Sequence, residues 1–158
     1  MVMEYRRVVT GHDSQGRSTV SIDAPIDTTM SMRPGQEAAV LWTTEGFPVD
    51  MAGDTDMAHA PVATSHDDGT VFRVVRFDPG VSPRNHRTLS IDYAVVMSGE
   101  IDMELDTTTV RLRAGDTLVQ RGTIHNWVNR GTEPCVMAFV LIAAKAPLVD
   151  GKPMAAAG

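Results

Sequence analysis

Two stretches decide the fold: Gly80-Val81-Ser82-Pro83-Arg84-Asn85-His86-Arg87-Thr88-Leu89-Ser90-Ile91-Asp92-Tyr93-Ala94-Val95-Val96-Met97-Ser98-Gly99 and Gly115-Asp116-Thr117-Leu118-Val119-Gln120-Arg121-Gly122-Thr123-Ile124-His125-Asn126-Trp127-Val128-Asn129. In the first, Leu89–Met97 is rich in apolar and β-branched residues and ends at a Ser-Gly turn, which predicts a strand. Side chains alternate across a strand, so His86, Thr88, Ser90, Asp92, Ala94 and Val96 share one face, and Ile91, Tyr93, Val95 and Met97 the other. A buried carboxylate or imidazole needs a partner. The even face, polar at His86, Thr88 and Asp92, therefore lines a wet cavity or builds a hydrogen-bonded site if it points inward. The odd face suits packing between sheets or subunits, and sequence alone leaves the inward parity open. In the second stretch the same rule puts His125, Trp127 and Asn129 together.

Outward from these stretches the chain keeps one character. Short runs rich in Val, Thr and Ile alternate with Gly and Pro punctuation, 13 and 9 residues of each, and helical periodicity is nearly absent. Expected strands are Tyr5–Thr10 and Arg17–Asp23 as a hairpin, Glu37–Thr43, Val71–Phe77, Leu89–Met97, Ile101–Leu105, Thr108–Arg113, Thr117–Gln120, His125–Asn129 and Cys135–Ile142. The connection 45–70 is longer than an ordinary loop in a compact domain and reads as a surface excursion, a dimer-wrapping arm or a lid. Its His59 and His66 read as solvated. The tail 145–158 ends in small residues and is expected to fray.

Composition removes several classes of function. At 158 residues one domain is the expectation, and a lone Cys135 excludes an intrachain disulfide. A formal charge of −6 with scattered arginines opposes a nucleic-acid partner and a polybasic membrane surface. The longest apolar run, Val136–Ala144, is too short to span a bilayer, and Met1–Arg6 lacks a signal-peptide apolar core, so a cytoplasmic protein is expected.

Read as chemistry, His86, Asp92 and His125 suit two different sites. Two imidazoles and one carboxylate would hold a divalent metal with positions open for substrate. They equally suit a metal-free acid–base cluster. Arg73 or Arg76, according to which parity faces inward, would fix a substrate carboxylate by paired hydrogen bonds, and Arg73 is taken as the candidate. Trp127, Met137, Phe139 and Leu141 form an apolar wall on one parity, as core or as the side of a small-molecule cavity. Thr88 either donates to a substrate carbonyl or satisfies a neighbouring strand.

The pattern resembles the cupin superfamily, whose first motif reads G-x5-H-x-H-x3-4-E-x6-G and whose second reads G-x5-P-x-G-x2-H-x3-N. Here Gly80, His86, Thr88, Asp92 and Gly99 keep every spacing of the first. Gly115, Gly122, His125 and Asn129 follow the second, with the proline missing and one residue deleted before the glycine. Val8–Asp13, His86–Thr88 with Asp92-Tyr93, and Val119–Thr123 with His125 and Trp127 further resemble a subgroup of small single-domain cupins, some of them encoded among genes of secondary metabolism.

The resemblance implies an all-β, single-domain jelly-roll barrel (a double-stranded β-helix) over 1–158, with the motif-bearing part at about 71–143 and extra N-terminal strands at 5–43. It also implies a homodimer that pairs sheet faces or exchanges Tyr5–Asp23. Metal-binding cupins use the two histidines and glutamate of the first motif with the histidine of the second. In this chain Thr88 replaces one imidazole, and Asp92 is a methylene shorter than glutamate, about 1.5 Å of reach. A divalent transition metal (Fe, Zn, Mn or Ni) would have His86, Asp92 and His125 as ligands; without one, the same three residues form a proton-transfer cluster. The expected function is a small-molecule-binding cupin performing acid–base chemistry, namely isomerisation, dehydration, cyclisation or decarboxylation, on a small organic or polyketide- or aromatic-derived metabolite in the barrel cavity. Thr88, Arg73, Trp127, Met137 and Phe139 would contact substrate. A non-haem iron dioxygenase and a non-catalytic ligand-binding cupin are the alternatives.

Overall fold

The alternation read at Leu89–Met97 becomes a strand with its even face inward: Ser90, Asp92, Ala94 and Val96 are buried, while Tyr93, Val95 and Met97 are exposed. A computed structural model describes residues 4–158; Met1–Met3, part of the N-terminal reading above, lie outside the described residues. In chain order the strands are β1 (Arg6–His12), β2 (Ser18–Pro25), β3 (Thr29–Arg33), β4 (Gln36–Glu45), β5 (Gly69–Phe77), β6 (Ser90–Ser98), β7 (Glu100–Glu104), β8 (Thr109–Arg113), β9 (Thr117–Arg121), β10 (Asn126–Val128), β11 (Cys135–Ala143), β12 (Leu148–Val149) and β13 (Lys152–Pro153), with one 3₁₀ turn at Met57–His59.

Two antiparallel sheets form the jelly roll. The larger runs β3-β4-β5-β11-β6-β9 and the smaller β10-β7-β8. Their inner faces meet in one core. Val71, Val75 and Phe77 of β5 pack with Val96, Ile101, Trp127, Met137 and Leu141. On the back of the large sheet Ala39, Leu41, Val74 and Val136 are covered by Tyr5 and Ile26 from the N-terminal segment. Gly99 turns β6 into β7 with a left-handed φ of 74°, and a Cβ there would lie 2.4 Å from the Pro134 carbonyl oxygen. Only glycine fits that turn without strain.

The expected hairpin is present as β1 and β2, but the other N-terminal strands are not extra. β4 sits between β3 and β5 and pairs with β5 from Gln36↔Phe77 to Glu45↔Gly69, so it belongs to the main sheet. β3 is not among the expected strands: Thr29-Met30-Ser31-Met32-Arg33 alternates polar and apolar residues, but it is short and its methionines are exposed. The long connection is pinned in place. Arg7 donates to Asp56 from both terminal nitrogens, Thr43 Oγ1 donates to the Met57 carbonyl, and Arg73 Nη2 donates to the Ala63 and Thr64 carbonyls.

The tail expected to fray is instead folded back. β12 pairs with β13, Ala157 bridges Arg87, and the Arg87 guanidinium donates to the Gly122 and Ala155 carbonyls. Backbone pairing carries this docking, and a run of alanines and glycine gives no side-chain signal of it. The core reading generates a stability prediction. Met137 is fully buried between β5 and β6, so Met137→Ala is expected to cost about 2–5 kcal/mol in a urea titration. A loss below about 0.5 kcal/mol, the usual size of a surface change, would contradict the packing described.

Candidate functional site

The site is built by backbone before side chains. His86 and His125 exchange two main-chain hydrogen bonds of 3.0 Å, an isolated bridge that brings the two motif stretches together. Asn126 secures the approach, its Oδ1 accepting from the Arg84 amide at 2.9 Å while its Nδ2 donates to Glu104. The imidazoles consequently stack obliquely, with ring centroids 4.3 Å apart. Each Nδ1 faces a carbonyl two residues back, Arg84 O at 3.0 Å for His86 and Thr123 O at 2.9 Å for His125. A carbonyl only accepts, so in the neutral rings Nδ1 carries the hydrogen and Nε2 keeps a lone pair.

Asp92 sits one strand position from the imidazoles' neighbour Gln120, with which it is paired across β6 and β9. Its Oδ1 accepts from Ser90 Oγ at 2.6 Å, and its Oδ2 lies 3.3 Å from Gln120 Nε2. That same amide nitrogen lies 3.3 Å from His125 Nε2. Thr88 Oγ1 is 2.9 Å from Ser90 Oγ, so hydroxyls connect the cavity wall to the carboxylate.

Arg73, His86, Thr88, Asp92, His125, Trp127 and Phe139 all line one cavity at the open end of the barrel. Met137 does not. It is fully buried in the core and is absent from that wall, although its strand partner Val75 lines it. Arg73, on the parity that points inward, faces the cavity, whereas Arg76 pairs with Asp78. Ser90, read on the even face with Asp92, is its hydrogen-bond partner. The sequence reading missed Gln120, the other partner of Asp92, and the wall residues Arg33, Gln36, Thr64 and Arg84. Nothing local marks Arg33, at the end of a short and largely exposed strand.

Electrostatics sorts the groups. Burial pushes His125 down to about 4, reinforced by His86, Arg84 and Arg33, and opposed by its bond to Thr123. Burial also lowers His86, with Arg84 and Arg33 adding to it. Both rings are neutral at neutral pH. Burial raises the Asp92 carboxyl, with Ser90 and Arg73 acting against the rise.

Tested against the metal set implied by the resemblance, this geometry does not fit. Two Nε2 atoms are presented, but Asp92 is tied to Ser90 and Gln120, and among the described residues no three His, Cys, Asp or Glu side chains form a group able to hold an ion. Three arginines on the wall also oppose a dication. The expected ligand triad of His86, Asp92 and His125 is therefore corrected to two imidazoles with the carboxylate held apart by an amide.

A jelly-roll barrel with two motif histidines at its open end defines a cupin-type small-molecule cavity. Comparison with known proteins agrees: the cupin domain family matches residues 73–142. The cupin-domain-containing oxidoreductase fogC of Aspergillus ruber is 37% identical over 94% of this chain and 77% of its own. Phomopsin biosynthesis cluster protein C' of Diaporthe leptostromiformis is 38% identical over 92% and 82%. Among solved structures, the polyketide cyclase RemF from Streptomyces resistomycificus shares the fold, with a TM-score of 0.51 at 16% identity over 77% of each chain. The chain belongs to the cupin family. Among the described residues no helix is long and apolar enough to cross a membrane.

The buried imidazole predicts a pH dependence. Between the ordinary value near 6.5 and about 4, the unfolded chain takes up a proton that folded His125 refuses, so stability falls as pH drops through that window, by up to roughly 3 kcal/mol. Asp92 acts in the opposite sense, because a raised carboxyl favours the folded state on the acid side. The fall in urea midpoint from pH 7 to pH 4.5 should be larger in the wild type than in His125→Asn, where His86 still contributes. An equal drop in both proteins would remove His125 as the cause.

Proposed function

We propose that this cupin is an enzyme that moves a proton on a small organic molecule, by abstraction next to a carbonyl and return elsewhere, leading to isomerisation, dehydration, cyclisation or decarboxylation. One observation carries this reading: two neutral imidazoles, each fixed by a carbonyl at Nδ1, present Nε2 lone pairs to a cavity walled by guanidiniums. His86 Nε2 is the free base, since His125 Nε2 is shared with Gln120. Guanidinium N–H groups stabilise the oxyanion that forms as the proton leaves. Asp92, with Ser90 and Thr88, holds the far end of the hydrogen-bonded chain and keeps Gln120 directed at the imidazoles. The names of relatives at 37–38% identity, a cupin-domain-containing oxidoreductase and a biosynthesis cluster protein, support an enzymatic role on small molecules.

The test uses pyruvate, acetoacetate, oxaloacetate and 2-oxoglutarate in deuterated buffer, with exchange at the carbon beside the carbonyl followed by NMR. Wild-type protein should accelerate exchange of at least one of them at least tenfold over His86→Asn, within the roughly 10²–10⁴-fold that general-base catalysis supplies. Equal rates for wild type, variant and buffer across the panel would overturn the proposal.

The relatives' names favour a second reading, oxidoreductase chemistry. It is separated by titrating the purified protein with Fe(II), Mn(II), Ni(II) and Zn(II) by calorimetry. The donor set described predicts binding weaker than micromolar for each. Stoichiometric tighter binding that disappears in His86→Ala would favour the second reading instead.

A further inference from the structure

The cavity has an unusual charge balance. Arg33, Arg73 and Arg84 line it with Asp92 as the sole carboxylate and both imidazoles neutral. Arg73 and Asp92 act on each other, and Arg84 Nη2 donates to the Gly158 oxygen on the exposed side. Several guanidiniums elsewhere pair with carboxylates, as Arg6 with Asp23, Arg7 with Asp56, Arg111 with Asp102 and Arg130 with Glu104, whereas Arg87 meets carbonyls alone. None of the ion pairs among the described residues includes Arg33, Arg73 or Arg84. Guanidinium keeps its proton in proteins, so this wall favours an anionic ligand over a neutral one.

Two specific atoms await that anion. Arg73 is 6% exposed, and its Nε is buried with no partner, although its Nη2 is occupied by two carbonyls of the long connection. Arg33 donates Nε to the Ser82 carbonyl and Nη1 to Gln36, while its buried Nη2 has no partner. These atoms belong to separate positive poles. Arg33 acts together with Arg84 on the imidazoles, and Arg73 acts on Asp92. The register supports the separation. Gln36, the strand partner of Arg33, lies opposite Phe77, four positions along β5 from Arg73, roughly 13 Å at strand spacing.

We infer that the cavity recognises a small dicarboxylate, one carboxylate received by Arg73 and the other by Arg33 with Arg84. This deepens the proposed function, on which it rests, by naming the substrate class. Arg73 and Arg33 each keep one N–H group that otherwise lacks an acceptor, one for each carboxylate. Size agrees. The cavity is small, about 60 Å³, room for several waters, which suits a short aliphatic acid better than a fused-ring polyketide. The second carboxylate also sits beside the imidazole pair, placing the carbon skeleton against His86 Nε2.

Direct calorimetry in low-chloride buffer tests this without turnover, using malonate, succinate, glutarate and adipate against their monocarboxylate and mono-amide counterparts. One diacid should bind at least tenfold tighter than the mono-amide of the same length. Arg73→Met and Arg33→Met should each bring that diacid down to mono-amide affinity. Because Arg73 also holds the Ala63 and Thr64 carbonyls, Arg33→Met is the independent check, and the mono-amide comparison on wild-type protein needs no variant. Diacids no tighter than mono-amides, no binding at millimolar concentration, or unchanged affinity in both variants would each overturn the inference. Diacid binding without exchange chemistry would uphold it and sink the proton-transfer reading alone.

Discussion

The two main-chain hydrogen bonds between His86 and His125 are the constraint on which the site depends. Each motif stretch reaches this point from a different sheet: His86 leads into β6 of the large sheet, and His125 leads into β10 of the small one. Where two sheets diverge at the mouth of a barrel, backbone groups lose their ladder partners and must find others. The bridge supplies those partners and in doing so sets two imidazoles side by side. The other end of each stretch is tied as well, with the Gly80 amide donating to the Asn129 carbonyl and Asn129 Nδ2 donating to the Phe77 and Glu133 carbonyls. Asn129, a motif residue, thus serves the frame and not the chemistry.

Side-chain direction follows from that frame. Once the bridge orients the rings, the carbonyls of Arg84 and Thr123 select the tautomer, and burial selects the charge state. A neutral imidazole with an exposed Nε2 lone pair is a proton acceptor by construction. Gln120 then limits what else it can be. Its amide nitrogen stands between His125 and Asp92, at 3.3 Å from each, and so keeps the carboxylate from closing on the rings as a third ligand. The replacement of glutamate by aspartate and of histidine by Thr88 acts in the same direction, since the shorter carboxylate is satisfied by Ser90 and the hydroxyl by the same serine.

What could be read from sequence was whatever depends on period and spacing. The parity rule placed His86, Thr88 and Asp92 on one face and His125 with Trp127 and Asn129 on another; all of these but Asn129 line the cavity. Motif spacing carried the fold, because Gly99 sits where only a left-handed turn against Pro134 and Cys135 is possible. Two kinds of information were missing. Long-range pairing left no local trace, so β3, the β12 and β13 hairpin and the Ala157 bridge were not visible in runs of exposed or small residues. Contact with the cavity was also hidden: Met137 and Phe139 have the same parity and both belong to the core, yet of the two Phe139 alone lines the cavity.

The arginines bring these threads into one argument about charge. A cupin site that holds a dication concentrates imidazole and carboxylate donors around it; here the carboxylate is withdrawn and three guanidiniums face the same space. Positive charge near the rings lowers their proton affinity, as Arg33 and Arg84 do for both imidazoles, which keeps Nε2 unprotonated but makes it a weak base in the empty cavity. An anionic ligand reverses this. By cancelling the guanidinium field beside the rings it raises their proton affinity at the moment substrate is in place, so the base strengthens only when there is a proton to take. In the proposed reaction the same electrostatic arrangement would couple binding to proton transfer, through Arg33 and Arg84 acting on His86.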